Sequence, residues 1–567
     1  MRIGTKLLRI FAAAITMYFL ATILNLLLGT YIWFPRYEWH WIFIPLPEAS
    51  AAALMLLALG RLTTPSHAPA VRRRATPRTV RILLLLFTGV FLVLLIYSVS
   101  EAFFQHIYMR TFDIRANLPL FSHFFNMLFA TEIFSQPLML VLPAATLFAV
   151  MGTLFWFLFR LLVHPLGRIP PIPAITTGAV LFLVSLIAVP AQPAAERLMV
   201  QLFFYEKNRG TPPTPRLDNS SSSGTYLNTH PSSFALPGIQ DKNIHFVIVE
   251  SYGTTIFTNP HHFKRMEGFY RQQESLLQQD GYSILSHAYD STAFGGTSWL
   301  ADATILSGLE LRTQSRYDQV VKQGTGNLLH LLARADYHRI LSAPGTNFMT
   351  DDYTGFYSYD TYILQDDFEY NGPFFTFGKL PDQYQIHYIH SEIIDHTSSQ
   401  PHFVQYILCS SHVPWNYIPP YIDSWEDFNR GNIYYNSERN TWYDNSWAVG
   451  SELFEGYTHS IRYSLESVFG YARTHLEQDD ILIVIGDHQP KFPVSEKDAG
   501  FGVPIHIIGK DRSILLPFLR YGYGLGVLPP HTENLPGLER FLSHFLAVAE
   551  GRFLQPRPSN APLPIPK

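Results

Sequence analysis

The side chains best suited to chemistry are an acid and an imidazole in direct succession, Asp487 and His488, in the run Gly486-Asp487-His488-Gln489-Pro490. A second carboxylate, Glu250, stands in Val249-Glu250-Ser251-Tyr252-Gly253. Two carboxylates and one imidazole brought together would make a site for a hard divalent cation. Taken singly, the acid–imidazole pair reads equally as a hydrogen-bonded turn, and the glutamate as a helix cap. Such a cation site wants a nucleophile beside it. Thr297 and Ser298, in Ala293-Phe294-Gly295-Gly296-Thr297-Ser298-Trp299-Leu300-Ala301-Asp302, offer hydroxyls where a helix opens behind a glycine turn. A hydroxyl there is either an N-cap or part of an anion site at the helix start. A cation close by would lower the pKa of the Thr297 hydroxyl and make it a nucleophile.

The elements that must position these groups are short apolar strands. Ile481–Ile485 is a run of aliphatic residues with the length of a strand buried on both faces, and it ends at the acid–imidazole pair. Phe246–Val249 ends in the same way at Glu250. Further strands are expected at Arg339–Ala343, Phe403–Leu408 and Val503–Ile508. Helical patterns cover Phe263–Gln279, Leu328–Ala335, Glu452–Leu476 and Leu535–Ala549. Alternation of this kind predicts an α/β fold, a doubly wound parallel sheet with helices on both faces. Ligands gather at the carboxyl ends of the strands of such sheets, where Glu250 and Asp487-His488 would lie.

Only 15% of the 567 residues are charged while 47% are hydrophobic, against about 25% charged in ordinary soluble domains. The deficit sits in the first two hundred residues. Five membrane spans are expected there: Leu7–Leu28, Trp41–Leu59, Ile82–Val99, Pro137–Val163 and Ala174–Val189. Arg2, Lys6 and Arg9, then Arg61, Arg72, Arg73, Arg74, Arg78 and Arg81, then Arg160 and Arg168, fall on one side of a five-span arrangement, which makes that side the cytoplasm. Everything after Val189 is then outside. The domain organisation that follows is an anchor over 1–195, a juxtamembrane helix and Pro/Ser-rich linker over 196–240, an extracytoplasmic catalytic domain over 241–550, and a tail over 551–567. Cys409, the single cysteine, rules out an intrachain disulfide and is expected to pack as a small hydrophobe. A net charge of −4 with no basic stripe argues against nucleic acid as a partner.

In order along the chain, Val249-Glu250-Ser251-Tyr252-Gly253, Gly295-Gly296-Thr297-Ser298, Ser410-Ser411-His412-Val413-Pro414-Trp415 and Gly486-Asp487-His488-Gln489-Pro490 resemble the motifs of the alkaline phosphatase superfamily. More narrowly, four such motifs behind a five-span anchor resemble membrane phosphotransferases of the lipoteichoic-acid synthase, sulfatase-like type. The resemblance implies an α/β/α sandwich in which Glu250, Thr297, Asp487 and His488 bind one divalent ion, manganese in most of the family and magnesium or zinc in relatives. It also implies that Thr297 is the nucleophile and forms a phosphothreonine, and that His412 binds the phosphoryl group or moves a proton near the leaving oxygen. A structural histidine in the turn before Pro414 is the alternative for His412.

The implied function is transfer of a phosphoglycerol headgroup from a phospholipid donor, phosphatidylglycerol, to a glycan or glycolipid of the cell envelope. The implied location is the cytoplasmic membrane, multi-pass, with the catalytic domain on the periplasmic or extracellular side. Two departures bear on this. The residues after Thr297 are Ser-Trp-Leu-Ala, not the x-Pro-x-Arg that formylglycine sulfatases need. The family's Trp-Asn-Arg grip on glycerol phosphate has its best counterpart at Phe348-Met349-Thr350, with Asn347 before it and no arginine. Asn347 and Phe348 are therefore candidate substrate contacts, or part of an ordinary polar loop. The alternatives are a phosphoethanolamine transferase, whose relatives usually carry several disulfides, and a membrane sensor that binds a ligand without turnover.

Overall fold

The computed structural model describes residues 2–28, 47–63, 77–108, 137–166, 168–188 and 236–551, apart from 347–353, 376, 378, 397–399, 427, 437–439, 446–451 and 497–498. The chain divides into two compact units, Met1–Thr214 and Pro215–Lys567. The juxtamembrane helix, almost all of the linker, and the tail expected from sequence lie outside the described residues.

The first unit contains five described helices: α1 (Arg2–Leu28), α2 (Pro47–Thr63), α3 (Pro77–Tyr108), α4 (Pro137–Leu166) and α5 (Pro171–Ala188). They fall on the five segments expected to span. Two stretches, Arg78–Ser100 and Ala145–Val163, are long and apolar enough to cross a membrane by length and composition; the apolar parts of the other three are shorter. Small and aromatic residues pack inside, among them Ala21, Ala53, Phe91 and Phe159. Leu8, Phe11, Ile82 and Leu147 face outward. The Thr88 and Thr153 hydroxyls donate to carbonyls one turn back, at 2.8 Å each. A polar side chain inside an apolar helix is satisfied in this way without a solvent partner.

The second unit is built on an eight-stranded sheet in the order β10-β2-β9-β8-β1-β5-β3-β4. The strands are β1 (Asn243–Val249), β2 (Ser283–Asp290), β3 (His338–Ala343), β4 (Thr361–Leu364), β5 (His402–Leu408), β8 (Asp480–Gly486), β9 (Gly502–Gly509) and β10 (Gly524–Leu525); β6 (Tyr417–Ile418) and β7 (Thr441–Trp442) form a separate ribbon. All five strands expected from sequence are present. The sheet is mixed and not wholly parallel: β1, β3, β4, β5 and β8 run together, β9 is antiparallel to β8 and β2, and β10 is antiparallel to β2. The reason lies in the connection from β8 to β9. The described residues of 487–501 hold no helix that could cross over a face, and a parallel return needs one.

Alternation along the strands splits the core into two layers. Val247, Val249, Val404, Tyr406, Leu482 and Val484 pack on one side, against α6 (Pro260–Gln279) and α11 (Leu453–His475). Ile244, Phe246, Ile248, Ile481, Ile483 and Ile485 pack on the other, against α7 (Ser298–Ser307), α9 (Leu328–Arg334) and α12 (Arg540–Ala549). Two further helices, α8 (Gln314–Lys322) and α10 (Asp382–Tyr388), complete the cover. Each fully buried aliphatic side chain in these layers contributes about 1.5–3 kcal/mol. That burial holds the strand ends in fixed register. Cys409 is buried beside this core, as expected.

Candidate metal and phosphoryl-transfer site

Strands β1 and β8 are parallel neighbours paired Val249 to Gly486. The next residues on each, Glu250 and Asp487, therefore emerge side by side at the carboxyl rim, with His488 one residue on. Gly486 permits the close approach, since a methyl group there would overlap the Tyr252 carbonyl oxygen. Glu250, Asp487 and His488 are all buried, and each offers a ligand atom within 4.8 Å of the other two. His488 Nε2 lies 3.1 Å from Glu250 Oε1 and 3.7 Å from Asp487 Oδ2.

The hydrogen bonds around the trio hold it in place without using up its inner atoms. Asp487 Oδ1 accepts from the Ser251 N–H at 2.8 Å and the His488 N–H at 2.6 Å. The Ser251 hydroxyl donates to Glu250 Oε1 at 3.1 Å, and the Ser411 hydroxyl donates to the Glu250 carbonyl at 2.7 Å. His488 Nδ1 lies 2.8 Å from the Gln489 carbonyl. A carbonyl only accepts, so Nδ1 carries the proton and Nε2 turns a lone pair toward the two carboxylates. Neither His488 Nε2 nor Asp487 Oδ2 has a hydrogen bond of its own. Acceptors facing acceptors in a buried site are costly unless positive charge lies between them.

A proton on Nε2 is the other positive charge that the trio can take. Burial disfavours a charged imidazole, yet Asp487 and Glu250 overcome it and raise His488 to about 10. Burial and then Glu250 push Asp487 well above the usual carboxylate range. Burial would raise Glu250 too, but His488 wins and holds it low. A divalent cation fits this donor set. It would be held by two carboxylate oxygens and one imidazole nitrogen, with His488 neutral.

Thr297 opens α7 and is half-buried. The Gly295 N–H bonds the Gln489 carbonyl at 3.0 Å, and Phe294 pairs with Gln489. These contacts dock the glycine turn on the residue after His488. Thr297 has φ 64°, a left-handed conformation that a β-branched residue adopts only under constraint. Its hydroxyl donates to the Gly296 carbonyl at 2.5 Å and leaves the helix start uncapped. That excludes the N-cap alternative for its side chain.

His412 follows β5, the other parallel neighbour of β1, and its charge acts on Glu250. Its ring stacks on Phe377 at 4.3 Å between centroids, and Nδ1 lies 2.6 Å from the Val413 carbonyl. Nδ1 again carries the proton, which leaves Nε2 to act. The structure thus gathers Glu250, Asp487 and His488 directly, and brings the Thr297 turn and His412 to the same rim through neighbouring backbone. Asn347 and Phe348 lie outside the described residues.

Sequence reading missed two groups. Ser251 orients Glu250 through its hydroxyl and Asp487 through its N–H, and a polar residue directly after a strand-end acid was the available signal. Asp302, on the second turn of α7, has a buried Oδ1 with no hydrogen-bond partner. Burial, and then Glu250, push its pKa up to about 8. The signal was a lone carboxylate in a helix whose other residues from Leu300 to Ser307 are all buried.

Residues 247–512 match the sulfatase family model. No curated protein matches the chain. Among solved structures it is similar to an alkaline phosphatase superfamily protein from Vibrio parahaemolyticus, at 17% identity and TM-score 0.32 over 48% of this chain and 60% of that one. It is similar to the lipoteichoic acid synthase LtaP from Listeria monocytogenes, at 13% identity and TM-score 0.33 over 54% of this chain and 72% of that one. It is also similar to the C-terminal periplasmic domain of EcEptC from Escherichia coli, at 11% identity and TM-score 0.36 over 55% of this chain and 82% of that one. The chain spans 60% of the length of the Vibrio protein. The match to the sulfatase family model covers the strands that carry Glu250 and Asp487-His488 and all four of the motifs.

Proposed function

We propose that the chain is a membrane-anchored, metal-dependent phosphotransferase that moves phosphoglycerol from phosphatidylglycerol to an envelope glycan or glycolipid. The observation that carries this reading is the convergence of Glu250, Asp487 and His488 on one rim, with the Thr297 turn hydrogen-bonded to Gln489 beside them. Sulfate-ester hydrolysis is not the reading, because the residues after Thr297 lack the formylglycine motif.

Glu250, Asp487 and His488 would hold the cation, with the Thr297 oxygen as a further ligand. Manganese is the expected ion. When bound, the ion supplies the charge that favours an ionised Thr297 hydroxyl and stabilises phosphoryl oxygens. The Thr297 oxygen attacks phosphorus, the bond to the diacylglycerol oxygen breaks, and a phosphothreonine results. The start of α7 faces the phosphoryl group with backbone N–H groups and the positive end of the helix dipole. His412 Nε2 gives the leaving oxygen its proton. An acceptor hydroxyl then attacks the phosphothreonine and returns a proton to His412.

The first unit acts as the anchor in this reading: five spans, positive side in the cytoplasm, and the sulfatase-family domain outside. Linkage to the membrane raises the effective concentration of a lipid donor. Incubating the protein with phosphatidylglycerol and phosphatidylethanolamine separately tests the reading. Phosphatidylglycerol should release diacylglycerol and place its headgroup on the Thr297 peptide, read by mass spectrometry. Thr297→Ala should lose the adduct and at least ~10³-fold of the turnover. Adduct only from phosphatidylethanolamine would change the donor, and diacylglycerol from neither lipid would leave a binding protein.

A further inference from the structure

The turn that carries His412 is gripped by a carboxylate that the reaction above does not use. Asp382 opens α10 and is fully buried. Its Oδ1 accepts from the Cys409 N–H at 2.9 Å and the Ser410 N–H at 2.8 Å, directly after β5. Its Oδ2 accepts from the Ser464 hydroxyl of α11 at 2.6 Å, and its own N–H donates to the Ser410 hydroxyl at 3.0 Å. The His412 N–H donates back to the Cys409 carbonyl at 3.0 Å and closes the turn. Asp382 thus holds the first two residues of a turn whose last residue is His412.

The other side of that turn is tied to the cation site. The Ser411 hydroxyl donates to the Glu250 carbonyl at 2.7 Å, and the Trp415 indole N–H donates to the Ser411 carbonyl at 2.6 Å. The contacts of the His412 ring, on Phe377 and on the Val413 carbonyl, orient the imidazole but leave the backbone beneath it to the turn. Burying a carboxylate is costly, and donors converging on both of its oxygens offset that cost. Charge-assisted bonds to backbone N–H groups are also stronger than neutral ones. A catalytic group on a loop must stand within about 0.5 Å of its productive place, and what holds the loop decides whether it does.

We propose that Asp382, steadied by Ser464, is the positioning residue for His412: it fixes the Cys409–His412 turn against the end of β1, so that His412 Nε2 meets the leaving oxygen. This rests on the phosphotransferase reading. Asp382 touches neither the lipid nor the cation, and no proton passes through it. Its effect on the reaction is therefore confined to the step that needs His412, the protonation of the departing diacylglycerol oxygen.

The test uses full-length protein loaded with manganese and compares two donors. One is phosphatidylglycerol in vesicles; the other is bis(4-nitrophenyl) phosphate, whose nitrophenolate leaves without a proton. In His412→Asn the loss should be large with the lipid and small with the nitrophenyl ester. Asp382→Ala should reproduce that split, with diacylglycerol release down about 10²-fold, the scale of a misplaced catalytic group, and nitrophenolate release within about threefold. Asp382→Asn should recover most of the lost rate, because its amide oxygen can accept from both N–H groups while its NH₂ donates to Ser464. Ser464→Ala should show the same split at about 3–10-fold, the size of one hydrogen bond, and decides the matter if Asp382→Ala does not fold. Placed in the His412→Asn background, Ser464→Ala should cost nothing more, since it acts through the missing imidazole. Equal losses with the two donors, or no loss with either, overturn the proposal. No diacylglycerol from the unaltered protein, by contrast, removes the phosphotransferase reading itself and this assignment with it.

Discussion

The two ends of the same strands treat the same residue in opposite ways. At the carboxyl rim, His488 is raised to about 10 by Asp487 and Glu250. At the amino ends, His402 and His475 are each lowered to about 4, with burial as the largest cause. His245 is lowered well below the ordinary value by burial and then by His402 and His390. These four are neutral rings packed edge to face: His245 and His402 at 5.3 Å, His390 and His475 at 4.2 Å. A carboxylate stands at this end too. Asp480, however, accepts from Asn243 at 2.9 Å and from the Glu477 N–H at 2.7 Å, so its charge is already satisfied. Asp487 Oδ2 at the rim is not. Whether an acid beside a histidine makes a cation site depends on which donors have reached the acid first.

The largest effect expected from this contrast is at the rim. Asp487→Asn removes one of the four proposed ligands and should weaken manganese binding by more than the roughly 10–100-fold that an outer-shell partner costs. Equilibrium dialysis would measure it. The amino-end rings, at the other end of the strands, should be untouched. If dialysis shows affinity within threefold of the unaltered protein, the rim is not the site.

Next in size is the acid sensitivity of the amino end. His402 is nearly buried, and its folded value of about 4 lies below the ordinary 6.5. The folded domain therefore binds fewer protons than the unfolded chain between those values. Its contribution is fully present above pH 6.5 and is lost as the pH falls toward 4, by up to about 3 kcal/mol. His402→Gln should flatten the fall in Tm between pH 7 and 4.5. An unchanged slope would mean that these rings do not set the acid limit.

What was legible in the sequence divides along the same line. Strands β1, β3, β5, β8 and β9 were visible because each is a continuous apolar run, and the acids stood at their ends. Strand β2 was not, because Ser286 and His287 interrupt its pattern while being buried. The Ser286 hydroxyl is satisfied by His506 at 2.7 Å and the Gly526 carbonyl at 2.6 Å, partners more than two hundred residues away. The reversed direction of β9 was hidden for a similar reason, since strand direction is a property of the connection and not of the strand. Asp302 stayed hidden because its significance lies in which atoms fail to reach it. The three residues that converge at the rim could be named from type and position, whereas the histidines of the amino end could not be separated from them by type at all.

The smallest effect tests how tightly the rim is tuned. Ser251 has φ 58°, so its backbone is held in the left-handed region so that its N–H can reach Asp487 while its hydroxyl reaches Glu250. Ser251→Ala removes only the hydroxyl and should lower manganese affinity by about 10-fold or less, as for the loss of an outer-shell hydrogen bond. Ser251→Gly removes the same hydroxyl but relieves roughly 1 kcal/mol of backbone strain. The two variants should therefore bind metal alike and differ in Tm, with glycine the higher after allowance for its chain entropy. If alanine and glycine differ in metal affinity instead, the backbone posture of Ser251, through its N–H on Asp487, sets the ligand geometry more than its hydroxyl does. The rim would then be organised by the chain turn after β1, in contrast to the amino end, where side-chain contacts, ring packing and the His390–Tyr471 hydrogen bond at 3.1 Å, hold the rings.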